Sequence, residues 1–442
     1  MRQSKNLPAA KFDPKLGRLN VELINTGSEL MLGRVLNTHQ QWLCRQLADL
    51  GYVVDRQVAV ADRGADITQA VREALARADL IITTGGLGPT SDDLTRDLIA
   101  ELLGKKLIED AGVLARIKGF FDARKRPMPQ STRVQALIPE GAMILQNVHG
   151  TAPGLAIEVQ PNALRNGKSS WLVMLPGPPR ELRPMFTDTV TPLLQRIMPL
   201  PDPFLSRTLR TTGVGESVVQ EKIARPLANL VTAGLDIGYC ARIGQVDVRL
   251  AASGGRAKQL IDEAEAVVRG QLGLRIFGTE DEELEGLIVR LLTERHQTLA
   301  VAESCTGGCI AHRLTNVPGA SAVFLAGVVT YSNSAKQHFL GVRAETLAEH
   351  GAVSEPVARE MAEGARLEAK ADFALSVTGI AGPAGGTPEK PVGTVFIGFA
   401  GPSGSVANRQ FNPYDRETFK QVTAQQALDL LRTKLLTSSR PT

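Results

Sequence analysis

Cysteine is scarce in this chain, with four residues in 442. That is too few for a disulfide framework, so a reducing cytoplasm is the expected setting. Neither sign of charge is in excess. Fifty basic and 46 acidic residues leave +4, spread along the chain, and this mild balance argues against a nucleic-acid partner. Long apolar runs are missing too. Stretches such as FALSV and SWLVML are strand-sized, so no membrane span is expected. There is no internal repeat and no low-complexity tract. Histidine is rare, with only His39, His149, His296, His312, His338 and His350, which narrows the choice of a general base.

What is present reads as a globular protein. Hydrophobic residues make up 43%, and the length exceeds one ordinary core, so two or three domains are expected. Residues 1–18 are basic and contain two prolines but no apolar signal core, and are expected to be a disordered extension. From Leu19, strand-like runs (LNVELINTG, YVVDRQVAV, DLIITTGG) alternate with helix-like ones (NTHQQWLCRQLADLG, ADITQAVREALARA, SDDLTRDLIAELLG). The order predicts a doubly wound parallel α/β sheet over 19–198, with ligands at the carboxyl ends of its strands. The proline cluster MPLPDPF (198–204) marks a boundary. A small α+β domain follows over 199–277, then an acidic linker (278–283) and a second α/β domain over 284–438.

Two loops of the first domain carry candidate ligand chemistry. NTGSELMLGRVLNT (25–38) supplies Thr26, Gly27, Glu29 and Asn37, and TTGGLGPTSDDLT (83–95) supplies Gly85, Gly86, Gly88, Thr90, Asp92, Asp93 and Thr95. Glycines after a strand let backbone approach a ligand, and a helix start favours phosphate. Asp92 and Asp93 are candidate ligands for a divalent metal beside a pyrophosphate, or first-turn residues of an ordinary capped helix.

In the last domain, AESCTGG (302–308) sits where a strand becomes a helix. Such a turn can bind an anion, seat a nucleophile, or serve only as a corner. Ser304 and Cys305 are rival nucleophiles, and Thr306, Gly307 and Gly308 offer amides to an oxyanion. None of the histidines here carries a motif of a base. The alternative is Lys336 in VVTYSNSAKQHFLGV (328–342), near Tyr331, provided burial lowers its pKa. A third loop, SVTGIAGPAGGTPEKPVGTV (376–395), presents Thr378, Gly379, Ala381 and Gly382, either to a phosphate or simply as surface. Arg416 in NPYDRETFK is a candidate for an anion.

These motifs carry a resemblance. NTGSEL, GGLGPTSDDLT, GTAPG (150–154) and LPGPPRELRPMF (175–186) resemble the N-terminal domain of the CinA (competence/damage-inducible) family, similar in fold to molybdopterin-binding MoaB/MogA proteins. In some members this implies an ADP-ribose pyrophosphatase using a divalent metal such as Mg; the rival expectations are a non-catalytic nucleotide- or pterin-binding regulatory module, or that this pyrophosphatase is the main activity. His149 departs from the smaller residue usual before GTAPG. The middle domain resembles the family's KH-like segment. From AESCTGG to the DRE stretch, residues 284–436 closely resemble the C-terminal CinA domain, also found alone as PncC. That resemblance implies a nicotinamide-nucleotide amidase of NAD salvage, which hydrolyses nicotinamide mononucleotide (NMN) to nicotinate mononucleotide and ammonia without a cofactor. It places the nucleophile on Ser304, the lysine on Lys336 and the tyrosine on Tyr331, expected to orient Lys336 or relay protons. It also suggests a homo-oligomer. Members often have a second arginine four residues after Arg416; here Lys420 stands in its place.

Overall fold

The structure, a computed structural model, describes residues 19–200, 202 and 204–437. The expected extension over 1–18 lies outside the described residues, as do residue 438 and two prolines of the MPLPDPF cluster. The chain divides into two compact units, Met1–Phe204 and Leu205–Thr442. Among the described residues, no helix is long and apolar enough to cross a membrane.

The first unit contains β1 (Val21–Thr26), β2 (Val54–Val60), β3 (Leu80–Thr84), the short ribbon β4 (Leu107–Glu109) and β5 (Leu137–Pro139), then β6 (Met143–Leu145), β7 (Gly154–Val159) and β8 (Ser170–Leu175). Its main sheet has the order β2-β1-β3-β8-β7-β6. The four strands β2, β1, β3 and β8 are parallel, as expected of a molybdopterin-binding-like α/β domain. The edge formed by β7 and β6 is antiparallel. The link from β7 to β8 is too short for the helical crossover a parallel neighbour needs. Successive strand residues feed opposite faces: Leu23 and Ile82 enter one core with Leu47 and Phe186, while Ile24 and Ile81 enter the other with Val71 and Leu75. Helix Thr95–Leu102 starts later than the sequence pattern suggests, because Thr90 and Asp93 close a turn ahead of it.

The second unit begins with β9 (Phe204–Thr212), β10 (Asp236–Arg242), β11 (Gln245–Ser253) and β12 (Ile276–Thr279), ordered β10-β11-β9-β12. Helices Glu216–Thr232 and Ala257–Leu272 bury Val219, Ile223, Leu260 and Val268 against this KH-like sheet. The acidic stretch read as a linker begins inside β12. The remaining strands are β13 (Leu299–Glu303), β14 (Phe324–Val329), β15 (Phe373–Gly379), β16 (Thr394–Gly401) and β17 (Gly404–Phe411), in the order β14-β13-β15-β16-β17. β14, β13 and β15 are parallel, and β16 and β17 extend them antiparallel. One face is covered by helices Leu284–Arg295, Cys309–Thr315 and Arg416–Thr437. The other is covered by Glu355–Ala369 and its neighbours. Ser304 immediately follows β13, the central parallel strand, so it lies at the carboxyl end of the sheet.

Candidate active site

Position in the sheet explains which face each residue of the AESCTGG turn meets. Ala300 and Ala302 point to the face carrying Leu340, whereas Leu299 and Val301 point to the opposite core. Ser304 continues the first series and Cys305 joins the second. The Ser304 amide donates to Val377 O at 3.0 Å, and Thr330 N donates to Glu303 O at 2.8 Å. These bonds tie the turn to β15 and to the end of β14.

Lys336 approaches from helix Asn333–Leu340, whose Ser332 cap accepts from Ala335 N. The side chain is 1% exposed. Its Nζ lies 3.1 Å from Ser304 Oγ and donates to the carbonyl oxygens of Thr330 at 2.8 Å and Tyr331 at 3.5 Å. Among the described residues it has no carboxylate partner. Burial therefore holds its pKa below the ordinary lysine value, with only the Cys305 thiol opposing. A neutral amine has two N–H groups and one lone pair. Here the two carbonyls can accept the N–H groups, and the lone pair is left for the Ser304 hydroxyl proton.

The rival thiol is disfavoured by the same interior. Burial pushes the Cys305 pKa up to about 12, and the Glu303 charge adds to this; backbone amides and Lys336 oppose it only in part. At neutral pH Cys305 is therefore a thiol packed in the core. No histidine of the described residues hydrogen-bonds Ser304.

Three expectations need correction. Gly307 N donates to Ser304 O at 3.1 Å, and Gly308 N donates to Glu303 Oε2 at 3.0 Å, so neither amide is free for an oxyanion. Their glycines are explained by left-handed backbone, with φ of 61° and 94°. The amides of Cys305 and Thr306 approach the Cys305 sulfur and have no carbonyl or carboxylate acceptor among the described residues. Tyr331 is also not beside the amine: the residue is 63% exposed, its hydroxyl is bound by Arg416, and only its backbone carbonyl reaches Nζ. Finally, the third loop is mostly internal packing. Thr378 Oγ1 donates to Ala352 O, a Cβ on Gly379 would meet Thr394 O at 2.8 Å, and Ala381 is in the core.

Gly382 instead joins the rim. Its carbonyl accepts from Arg416 Nη1 at 2.8 Å, while Arg416 Nη2 donates to the Tyr331 hydroxyl at 2.7 Å. Lys420 lies one helical turn beyond Arg416, and a Cβ on Gly307 would be 3.7 Å from its Nζ. Neither cation has a carboxylate partner among the described residues. Lys420 was identifiable in the sequence only as a departure from the family, and Glu303 was missed because it reads as one more residue of a buried strand.

In the first unit, Thr26, Gly27, Glu29, Gly85, Gly86, Gly88, Asp92 and Asp93 line one cavity of about 390 Å³ at the strand ends. Asp62, Gln135 and Glu181, not singled out from sequence, line it too. The glycines are close-approach positions: a Cβ on Gly85 would lie 2.6 Å from Thr26 Oγ1, and one on Gly86 would lie 2.0 Å from Thr95 Oγ1. Thr90, Thr95 and Asn37 do not line the cavity. Thr95 is buried beneath Gly86, and Asn37 caps helix Thr38–Asp49 by accepting from Gln40 N.

The carboxylates that line this cavity do not gather on one point. Asp93 Oδ2 accepts from both the Thr90 amide and hydroxyl, and no group of three or more His, Cys, Asp or Glu converges as a metal site among the described residues. Asp92 and Asp93 are a turn and its neighbour rather than a shared metal clamp.

Comparison with known proteins agrees with this layout. Residues 281–435 match the CinA C-terminal domain, 22–196 the probable molybdopterin binding domain, and 206–278 the damage-inducible protein CinA KH domain. A CinA-like protein of Akkermansia muciniphila is 43% identical over 93% of this chain and 96% of its own. A putative competence-damage inducible protein of Caldicellulosiruptor bescii is 43% identical over 94% of this chain and 99% of its own. Another from Symbiobacterium thermophilum is 44% identical over 94% of this chain and 98% of its own.

Proposed function

The chain belongs to the CinA family, and we propose that its C-terminal domain is a nicotinamide-nucleotide amidase, converting NMN to nicotinate mononucleotide and ammonia. The observation that carries this reading is the buried contact between Lys336 Nζ and Ser304 Oγ, 3.1 Å long and without a carboxylate to hold the lysine charged. In the proposed cycle, neutral Lys336 takes the Ser304 proton as Oγ attacks the carboxamide carbon. The amides of Cys305 and Thr306, otherwise met only by the weakly accepting Cys305 sulfur, turn to the developing oxyanion. The C–N bond then breaks, Lys336 returns the proton to the leaving nitrogen, and ammonia departs. Water, again deprotonated by Lys336, cleaves the acyl ester and restores Ser304.

Arg416 and Lys420 supply the anchor for the nucleotide's phosphate, a dianion that neither the serine nor its base can bind. Truncating either to alanine is expected to raise KM for NMN roughly 10-fold or more, the scale of a charge-assisted hydrogen bond, with kcat little changed. Nicotinamide riboside, which lacks the phosphate, should not distinguish the variants from wild type. An equal loss on both substrates would remove the anchor from the proposal.

The decisive experiment follows ammonia and nicotinate mononucleotide from NMN. Ser304→Ala should abolish both products, whereas Cys305→Ala should retain most of the activity. The reverse pattern, with both variants folded, sinks the reading.

For the first domain, the cavity supports nucleotide or pterin binding better than metal-dependent hydrolysis of ADP-ribose, because Asp93 is engaged by Thr90 and the carboxylates that line the cavity do not converge as a group of three among the described residues. ADP-ribose is expected to bind without turnover. Magnesium-dependent release of AMP, lost in Asp92→Ala, would instead establish the pyrophosphatase.

A further inference from the structure

Glu303 is buried, 1% exposed, and has no lysine or arginine partner among the described residues. Its Oε2 accepts from Gly308 N at 3.0 Å and Ile310 N at 3.2 Å, and its Oε1 accepts from Ala311 N at 2.9 Å. Three backbone donors compensate a buried carboxylate well, and a helix N-terminus favours its charge.

This arrangement differs from an ordinary cap. The N-cap residue of helix Cys309–Thr315 is Gly308, whereas Glu303 is the last residue of β13. The carboxylate thus reaches across the whole turn that holds Ser304, joining the strand before the nucleophile to the helix after it. Its own backbone carbonyl is held by Thr330 N, next to the carbonyl that binds Lys336. The turn is clamped at both ends by one residue.

We propose that Glu303 is a positioning residue of the amidase, binding the amides of Gly308, Ile310 and Ala311 so that the turn between β13 and the helix is held with Ser304 against Lys336. The inference rests on the amidase reading of the site. Its physical basis is a tether: without the carboxylate, the helix start is released from β13, and the turn between them loses the bonds that fix Ser304 beside its base. A bound ground-state carboxamide gains little from that alignment, whereas proton transfer and attack in the transition state depend on it.

Glu303→Gln replaces one acceptor oxygen with an NH2 that faces a backbone donor. It is expected to lower kcat for NMN roughly 10- to 100-fold, the scale of misplacing a catalytic group by about 1 Å, while KM stays within about twofold of wild type. Glu303→Asp keeps the charge at shorter reach and is expected to recover part of kcat. It also serves as the test variant if the glutamine protein does not fold: reduced kcat at constant KM then supports the proposal. Unchanged kcat in the folded variant, or a loss expressed in KM alone, overturns it.

Wild-type protein that releases no ammonia from NMN would defeat the amidase reading separately. The readout then becomes acylation-type labelling of Ser304 by a fluorophosphonate probe, with Ser304→Ala as the blank. Labelling slowed about tenfold or more in Glu303→Gln retains the positioning role, and equal labelling rates reject it.

Discussion

Lys336→Met is expected to cut ammonia release from NMN by roughly 10²–10⁴-fold, the usual worth of a general base, with the fold intact. Methionine fills a similar volume and leaves no buried charge. In the wild type, kcat/KM should rise with pH as the ammonium loses its proton, with a midpoint below the ordinary lysine value of about 10.4. The cause is burial without a carboxylate, which disfavours the charged form. The same shift predicts a stability effect of definite sign. Between the depressed folded pKa and the unfolded value, the unfolded chain binds more protons than the folded one, so stability increases with pH across that window. Denaturation midpoints measured across the window should climb in wild type and in Ser304→Ala, and the climb should be reduced in Lys336→Met. A methionine variant retaining more than about a tenth of wild-type activity would be incompatible with Lys336 as the base.

Gly364→Ala is expected to cost about 3 kcal/mol or more, at or beyond the upper end for overpacking. Helix Glu355–Ala369 passes so close to the Lys336 helix that a Cβ at Gly364 would lie 1.9 Å from Leu340 O and 2.7 Å from its carbonyl carbon. A backbone carbonyl cannot rotate away as a side chain can, so the two helices must separate. Leu340 is the last residue of the helix that carries Lys336, and the displacement reaches Nζ and its 3.1 Å contact with Ser304. Activity per folded molecule should therefore fall as well, because misplacing a catalytic group by about 1 Å can cost on the order of 100-fold. Gly286→Ala provides the contrast. It lies in helix Leu284–Arg295 with nothing within 4 Å of its Cβ position, and should stabilise by about 0.5–1 kcal/mol. Denaturation midpoints that do not separate the two variants would contradict the packing argument.

Particular elements show where sequence reading succeeded. The strand ending at Glu303 and the helix that follows AESCTGG were both predicted from an apolar run broken by glycines, which is a local signal. Strands β10 and β17 were missed, since their exposed, weakly patterned residues obtain their partners from distant segments. Helix Ala111–Asp122 was missed as well, although Asp110 caps it. Asp92 and Asp93 looked like a metal pair because adjacency in sequence conceals that Thr90 turns one of them aside.

The sequence by itself determined the order of elements, the family, and the serine and lysine that face each other across 32 positions. It could do so because local pattern and long motifs survive without knowledge of contacts. Tertiary structure alone decided how these groups behave. Burial without a counter-charge lowers the lysine pKa, and burial in the opposite core keeps Cys305 a thiol. Acceptors within the turn engage the amides of Gly307 and Gly308, which the sequence offered to an oxyanion. Arg416 draws the Tyr331 phenol to the rim. Each of these depends on which acceptor, charge or apolar wall lies within a few ångströms, and in this fold those neighbours come from strands and helices far apart in the chain.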